Sequence, residues 1–351
     1  MRDFPRVSCV AAIVGLTACG SAGEIATEAS DSRLITLRVS ELASTEGDPS
    51  APFGTINDML EVQPGVIAVA DDVLHCVHAW TVESGRVRRL ARRGPGPGEV
   101  ETPMQLARRP GGGFALYDIG HSGILLYGPD LQHVRSVLGI GLISNTKDLM
   151  VLPDGSFVLA GGRLSDPRHL HRYTSDGERV EAWGEPPATL TEKTAQIQAA
   201  GGALRLLANG GFLFSFGAPL RVIRFPAGAG LQEGEIVTED LELRPEPTDD
   251  ELVRPGSRPG SRAFQWWFDR SSGILVLDDS SLLNVVTRHY QGDSVWDLYD
   301  PEGNRLARTV VDRAYYVHDL AHDGTIVAHY RDAETDEKVA VVLRLELARG
   351  D

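Results

Sequence analysis

The chain has 351 residues, of which 42% are hydrophobic and 24% are charged, so it can bury a sizeable core in one large domain or two smaller ones. Its formal net charge of −15 argues against a nucleic-acid-binding protein, because holding phosphate backbones requires a concentrated basic surface. Nucleic-acid partners are therefore not expected.

The N-terminus is typical of an export signal. Arg2 and Arg6 form a short basic start, and residues 7–16 form an apolar stretch that is too short to cross a bilayer as a helix. The sequence LTAC at 16–19 then resembles the lipobox of bacterial lipoproteins, in which the chain is cut before the cysteine and the cysteine is acylated. An ordinary signal peptide with an incidental cysteine is the alternative.

The lipoprotein resemblance implies a signal peptide over 1–18, lipid attachment at Cys19 and a flexible tether over 19–31, followed by one domain over 32–351. Because the residue after Cys19 is not aspartate, the resemblance also implies the outer membrane, facing the periplasm or the cell surface. Cys9 would leave with the signal peptide, so a mature monomer, which we expect, has no disulfide framework. Cys76 lies in an alternating apolar run and is predicted to be a buried core residue.

After the tether, short apolar runs alternate with Gly, Pro, Asp and Asn turns, which predicts an all-β domain. The same order of strands and turns recurs at 63–90, 111–137, 153–183, 209–225, 281–311 and 322–347. One more apolar stretch precedes each copy, so each unit is a four-stranded meander of about 45 residues. Such units favour a six-bladed β-propeller over a sandwich.

The ends of the repeat array predict how the ring closes. The sixth copy stops before its last strand, while residues 32–42 form a strand with no repeat around it. If the N-terminal strand serves as the missing strand of the last blade, that blade is complete and the N-terminal strand has a partner. The partner would be the strand near 339–345. The packing of the N-terminal strand would come from Leu34, Ile35, Leu37, Val39 and Leu42. In the fifth copy the innermost strand is either 273–278 or the segment around Trp266.

The glycine-rich stretch RRGPGPGEVETP, residues 92–103, is interpreted as a connector between blades. A phosphate-binding loop needs free backbone N–H groups that lead into a helix, whereas Pro95 and Pro97 lack this group and a strand follows.

The segment from 92 to 130 resembles NHL-type and TolB-like six-bladed propeller repeats, and 328–347 is similar to the final blade of bacterial propeller lipoproteins. The resemblance covers 32–347 and implies the fold, but no catalytic residues. Residues 121–123, His-Ser-Gly, depart from the Asn-His-Arg that NHL repeats often have there, so this copy is degenerate.

One end of the predicted propeller is the expected recognition surface. Strand direction alternates within a blade, so the blade connectors and the turns between second and third strands share one end. That end also receives two long insertions, 185–202 and 244–272. A short helix is predicted in the first insertion, and none in the second, because it is too rich in Pro and Gly.

The candidate ligand or partner residues at this end fall into three groups. Arg254, Arg258 and Arg262 would hold a carboxylate, phosphate or acidic sugar, with solvated loop charge as the alternative. Trp266 and Trp267 would stack on a sugar or partner, unless one of them packs under the loop. The remaining candidates lie near second-strand ends: Asp71, Asp72, His121, Arg163, Arg288, His289, Tyr290 and Arg331.

No cofactor and no metal ligand is predicted. On a strand, His75 and His78 point to opposite faces, and His318 and His322 lie about 13 Å apart. His169 and His171 share a face, but no third ligand is near them in the sequence.

The sequence leaves two functional hypotheses open. The first is a lipid-anchored envelope propeller that binds a protein or glycan partner without catalysis, because no Gly-x-Ser-x-Gly, His-Glu-x-x-His, Walker or dinucleotide motif is present. The second is a lactonase-like hydrolase or lyase with a metal on the channel axis. For that, the predicted inner strands offer mainly Asp58, Asp148 and His318.

Overall fold

The structure is a computed structural model that describes residues 35–46, 53–141, 145–217, 220–240, 243, 247–255, 262–264, 270–278, 280–288 and 291–349. The predicted signal peptide and tether, with Cys19, lie outside these residues. Six further residues that carry predictions also lie outside the described residues: Leu34, Arg258, Trp266, Trp267, His289 and Tyr290. Arg254 and Arg262 are described by their backbone alone.

Six four-stranded antiparallel sheets form the blades of a β-propeller, as predicted. Blade 1 contains β2 (Asp58–Gln63), β3 (Val66–Asp71), β4 (Cys76–Thr81) and β5 (Val87–Ala91). Blade 2 contains β6 (Pro103–Arg108), β7 (Phe114–Asp118), β8 (Gly123–Tyr127) and β9 (His133–Leu138). Blade 3 contains β10 (Asp148–Val151), β11 (Phe157–Ala160), β12 (Leu170–Tyr173) and β13 (Arg179–Trp183).

The second half of the ring repeats this order. Blade 4 contains β14 (Gly202–Leu206), β15 (Phe212–Phe216), β16 (Arg221–Phe225) and β17 (Glu235–Glu239). Blade 5 contains β20 (Arg270–Val276), β21 (Leu282–Arg288), β22 (Asp293–Tyr299) and β23 (Arg305–Val311). Blade 6 contains β24 (Tyr316–Leu320), β25 (Ile326–Arg331), β26 (Lys338–Arg349) and β1 (Ile35–Ser44). Of the two predicted innermost strands for blade 5, the structure confirms the one that contains Gly273.

The core lies between neighbouring blades, which pack face to face. The middle strands are apolar on both faces because each face meets another blade, and all residues of β7 and β8 are buried. Between blades 1 and 2, for example, Leu60 packs with Leu116 and Tyr127. The outer strand β9 has one buried position, since one of its faces meets solvent. Cys76 is buried and carries a free thiol, in agreement with the prediction.

The N-terminal strand closes the ring as predicted. It pairs antiparallel with β26 from Ile35 opposite Arg349 to Ser44 opposite Val341. Leu37 is buried in the core formed by blades 5 and 6, and Ile35 and Val39 pack beside it. The prediction that Leu42 packs there is wrong. A β-bulge between Glu41 and Ala43 shifts the register, and Leu42 is 45% exposed.

The glycine-rich stretch joins β5 to β6 and is therefore a blade connector. Its backbone is held by the chain's own Glu99 carboxylate, which accepts the Gly96 N–H at 2.8 Å and Arg92 Nε at 3.0 Å. A side chain on Gly94 would overlap this carboxylate. The glycines leave room for an internal acceptor at the place where a phosphate-binding loop would hold its ligand.

The two long insertions pack against each other. The first contains the predicted helix, α1 (Lys193–Ala199). The second contains a four-residue helix, α2 (Asp249–Leu252), and a hairpin of β18 (Val253–Pro255) and β19 (Arg262–Phe264). The prediction of no helix in this insertion is wrong, since the run TDDEL precedes its Pro- and Gly-rich part. Blade 4 also carries a 3-10 helix at Leu231–Glu233.

Candidate ligand-binding site

A cavity of about 460 Å³ lies at the end of the propeller where the innermost strands begin, the end that receives both insertions. The innermost strand of every blade contributes to its wall. One wall residue from each blade, in order, is Asp58, Gln105, Asp148, Arg205, Ser271 and His318. We call this cavity the mouth.

The two insertions build one side of the mouth. Leu252 of α2 packs with Leu190, Ala195 and Ala199 around α1, and the Asp249 carboxylate accepts the Thr191 N–H at 3.1 Å. The connector after α1, at 198–201, then forms part of the wall. Asn145 anchors it, because its Nδ2 donates to the carbonyls of Ile197 and Gln198.

A hydrogen-bonded chain of three side chains, Asp58–His318–His329, runs along the mouth. His318 Nδ1 lies 2.8 Å from Asp58 Oδ1, and His318 Nε2 lies 2.6 Å from His329 Nδ1. An ionised Asp58 accepts only, so His318 Nδ1 carries its hydrogen and His318 Nε2 accepts from His329 Nδ1.

A β-bulge in β24 of blade 6 brings His318 to the site. The register between β24 and β25 shifts between Val317 and Asp319, so His318 is the extra residue. As a result two consecutive side chains, which a regular strand would place on opposite faces, both contact the channel. His318 reaches the mouth and Asp319 reaches the adjoining ion-pair network.

Asp148 is the other carboxylate of the mouth, and its own pKa is raised. Its oxygens accept the N–H groups of Leu149 at 2.7 Å and Leu204 at 2.6 Å, which joins blade 3 to blade 4. Burial, and then the negative charge of Asp58, raise its pKa to about 7, although the Arg205 charge opposes this. Asp148 is therefore able to carry a proton near neutral pH.

Asp148→Asn is expected to change how stability depends on pH. Because the folded-state pKa of Asp148 lies near 7 and its ordinary value is 3.8, the folded chain binds the proton more tightly than the unfolded chain. This stabilisation is complete below about pH 4 and is lost as the pH rises through about 7, by at most about 1.4 kcal/mol per pH unit. Asparagine does not titrate, so the variant should lack this slope in urea unfolding. Identical slopes in the two proteins would show that the pKa of Asp148 is not raised.

The mouth has a positive lining although the chain as a whole is acidic. Its charged wall residues are Lys147, Arg205, Arg331 and Lys338 against Asp58 and Asp148. Two of these cations have carboxylate partners outside the wall, since Arg205 pairs with Asp319 and Arg331 with Asp336, so the lysines contribute most to the positive lining. The chain has three lysines, and two of them are in this wall. Lys338 is held at the rim, where its Nζ donates to the Ile56 carbonyl at 2.9 Å. A cavity with this balance attracts anions.

An ion-pair network centred on Asp319 adjoins the mouth. The Asp319 carboxylate pairs with Arg108 from blade 2 and, at 3.4 Å, with Arg205 from blade 4, and it accepts the Glu61 N–H of blade 1 at 3.1 Å. Arg205 also donates to the carbonyls of His318 and Ile274, each at 2.9 Å. The network links five of the six blades around the channel.

Of the predicted site residues, Arg331 lines the mouth, and so do Asp58, Asp148 and His318, which the sequence had placed on inner strands. His121 and Arg163 lie in the turns after second strands, and Arg288 is the last residue of the second strand β21. None of the three is among the described residues of the wall. They have local partners instead: His121 bonds to Asp118, Arg163 donates to the Tyr173 hydroxyl, and Arg288 pairs with Asp293. Asp71 likewise accepts the backbone N–H groups of Gly54, Thr55 and Leu74.

Sequence reasoning did not single out Lys147, Lys338 or His329. Counting outward from the turn at 322–325 would have placed positions 318 and 329 close together across a hairpin. The rarity of lysine was a second available signal, because a chain with three lysines in 351 residues makes each lysine position worth considering as a binding residue.

Within the described parts of the chain, no group of three His, Cys, Asp or Glu side chains is arranged to hold a metal ion. His169 and His171 are both buried and have separate partners, the Gly201 N–H and the Arg168 carbonyl. Burial lowers the pKa of each to about 4. Across the same described residues, none of the helices combines the length and the apolar character needed to span a bilayer.

Comparison with known proteins supports the fold and goes no further. No protein-family model and no curated protein sequence matches the chain. A member of the DUF4221 family from Bacteroides vulgatus is similar in structure, with a TM-score of 0.59 and 9% identity over 90% of this chain and 99% of the other. A candidate exported protein from Bacteroides fragilis has a TM-score of 0.57 and 13% identity, over 89% and 96% of the two chains. A candidate gluconolactonase has a TM-score of 0.51 and 13% identity, over 90% and 94%. At these identities the likeness shows a shared propeller fold alone.

Proposed function

We propose that this protein is an envelope-attached binding module whose mouth holds a small anion, such as the acidic sugar at the end of a glycan. The observation that carries the proposal is the cationic wall of a central cavity in a chain of net charge −15. Surface charge of that sign would repel an anion, so a local excess of positive charge marks the place where one is favoured.

The size and the remaining wall residues suit a sugar acid. A volume of about 460 Å³ falls within the usual range for small-molecule sites. The amides and hydroxyls of Asn57, Gln105 and Ser272 can bond to sugar hydroxyls, while Ile56 and Met104 offer apolar surface to the faces of a ring. The binding of a glycan end requires this mixture of polar and apolar groups.

Lysine substitutions test the anion site. Lys147→Met and Lys338→Met are each expected to weaken binding of D-glucuronate about tenfold, because each removes a charge that faces the ligand. Lys193→Met is the matched control, since Lys193 is exposed on α1 and is not in the wall. The measurements are the ligand-induced rise in unfolding temperature and calorimetric affinity, with D-glucose as the neutral comparison. Equal effects in all three variants, or equal binding of glucose, would contradict the proposal.

The export signal and the LTAC sequence support attachment to the envelope, and a candidate exported protein among the similar structures agrees with it. Cys19→Ser is expected to move the protein out of the membrane fraction, because the acyl chains would have no cysteine to attach to. Fractionation with and without detergent measures this. A processed variant that stays in the membrane fraction until detergent is added would contradict lipid attachment.

A hydrolase or lyase is the second candidate. The Asp58–His318–His329 chain favours it, since a carboxylate that orients a histidine is a common arrangement for a general base. The fold shared with a candidate gluconolactonase agrees with this candidate at the level of architecture. Hydrolysis of gluconolactone that is lost in His329→Gln would favour the enzyme over the binding module.

A further inference from the structure

A second cavity, also of about 460 Å³, lies at the same end of the propeller as the mouth. Its wall is formed where β13 and β15 end and β16 begins, together with residues 185–188 of the first insertion. None of the innermost strands contributes to the described wall, so this cavity is farther from the axis, and we call it the outer pocket. We propose that the outer pocket is a second binding site whose ligand is an uncharged sugar unit. This site goes beyond the anion site and does not depend on it.

An aromatic platform forms one side of the outer pocket. Trp183, the last residue of β13, is half-buried, and the ring of Phe216 lies beside it with the centroids 5.9 Å apart. Trp183 also meets Phe214 and Phe225 at interplanar angles of 90°, with centroids 6.3 and 5.3 Å away. A tryptophan held by three rings loses little side-chain freedom on binding, and its apolar surface suits the C–H face of a sugar ring.

Two arginines place hydrogen-bond donors around this platform. Arg168 donates to the Asp166 carboxylate from Nε at 2.8 Å and from Nη2 at 2.6 Å, and to the Ala182 carbonyl from Nη1 at 3.1 Å. Arg221 pairs with Glu239 at the other side of the pocket. Each guanidinium group has five N–H donors, so these bonds fix both side chains and leave further N–H groups for ligand oxygens.

The charge balance of the outer pocket separates its ligand class from that of the mouth. In and around the wall, three arginines lie against three carboxylates: Arg168, Arg179 and Arg221 against Asp166, Glu185 and Glu239. The hydrogen bond from Arg168 keeps the pKa of Asp166 well below its usual range, so this carboxylate is charged at neutral pH. A balanced site does not concentrate anions. Its mixture of donors and acceptors suits hydroxyl groups, which both donate and accept.

The outer pocket and the mouth are separate cavities that share a buried residue between their walls. His169 Nδ1 accepts the N–H of Gly201, in the wall of the mouth, at 3.1 Å. The ring of the same His169 lies 4.7 Å from Phe216, in the wall of the outer pocket. A ligand in one cavity therefore leaves the other open, and both sites can be filled at once.

Calorimetric titration of the full-length protein with cellobiose, an uncharged disaccharide, tests the inference. We expect Trp183→Ala to weaken cellobiose binding about tenfold and Arg221→Met about fivefold, because they remove the platform and one set of donors. Arg172→Met is the matched control, since Arg172 also pairs with a carboxylate, Asp154, and is in neither wall. It should keep the wild-type affinity. Saturating D-glucuronate should leave cellobiose binding unchanged.

Arg221→Met keeps the test decisive if Trp183→Ala does not fold, because Trp183 also packs in the core between blades 3 and 4. Cellobiose that does not bind the wild type, or that binds Arg221→Met and Arg172→Met equally well, overturns the inference. Displacement of cellobiose by D-glucuronate would place the sugar in the mouth. A loss of D-glucuronate binding in Arg221→Met would make the ligand of the outer pocket an anion, and the proposed class would be wrong. The anion site of the mouth is decided separately, by D-glucuronate binding to Lys147→Met.

Discussion

A chain that begins at Glu46 is expected to aggregate, or to melt more than about 10 °C below a chain that begins at Ser30. The shorter chain lacks β1, which pairs with β26 from Ile35 to Ser44 and is the one strand that a blade receives from the other end of the described chain. Its loss exposes the edge of β26 and the apolar surface under Leu37. It also opens the seam that holds the first and last blades in one ring.

The measurement is thermal unfolding together with light scattering for both chains. Two substitutions on the same strand provide a finer control. Leu37→Ala is expected to cost about 2 to 4 kcal/mol because Leu37 is 5% exposed, whereas Leu42→Ala should cost less than about 1 kcal/mol because Leu42 is 45% exposed. Equal melting of the two shortened chains would show that β1 does not stabilise the ring.

Asp319→Ala is expected to destabilise the protein by about 1 to 3 kcal/mol. Asp319 is buried between Arg108 and Arg205, so alanine would leave two guanidinium groups and the Glu61 N–H without their shared acceptor. Burial raises the pKa of Asp319, but the two arginines favour its ionised form. The loss comes mainly from Arg205, which is 22% exposed and would lose a carboxylate partner with limited access to water, whereas Arg108 is 47% exposed and can be rehydrated.

Urea unfolding of Asp319→Ala measures this loss. Asp176→Ala is the matched control, because Asp176 is 85% exposed and its ion pair with Arg135 is long, at 3.5 Å. That control should stay within about 0.5 kcal/mol of the wild type. A similar, small effect for both variants would mean that the Asp319 network contributes little to holding the blades together.

The architecture was predictable because it is encoded in short segments. Apolar alternation and Gly, Pro and Asp turns recur with each blade, and these local signals depend on a few neighbouring residues. The incomplete sixth copy was enough to predict the closing strand, and the connector at 92–103 was identified from its prolines. Leu42 shows where prediction from local patterns fails. A β-bulge displaced it, and the alternating pattern does not reveal where a register shift occurs.

The sequence placed Asp58, Asp148 and His318 on inner strands, but the contacts within the candidate site were not predictable, because its parts are far apart in the chain. Asp58 and His318 are 260 residues apart, and only the closed ring brings the first and last blades into contact. The positive mouth has the same origin, since Lys147 and Lys338 lie on blades 3 and 6. By itself the sequence determined the repeat, the number of blades and the closing strand, through local periodicity. Only the tertiary structure decided which side chains face the axis, because that depends on ring closure and on the bulge that turns both His318 and Asp319 toward the channel.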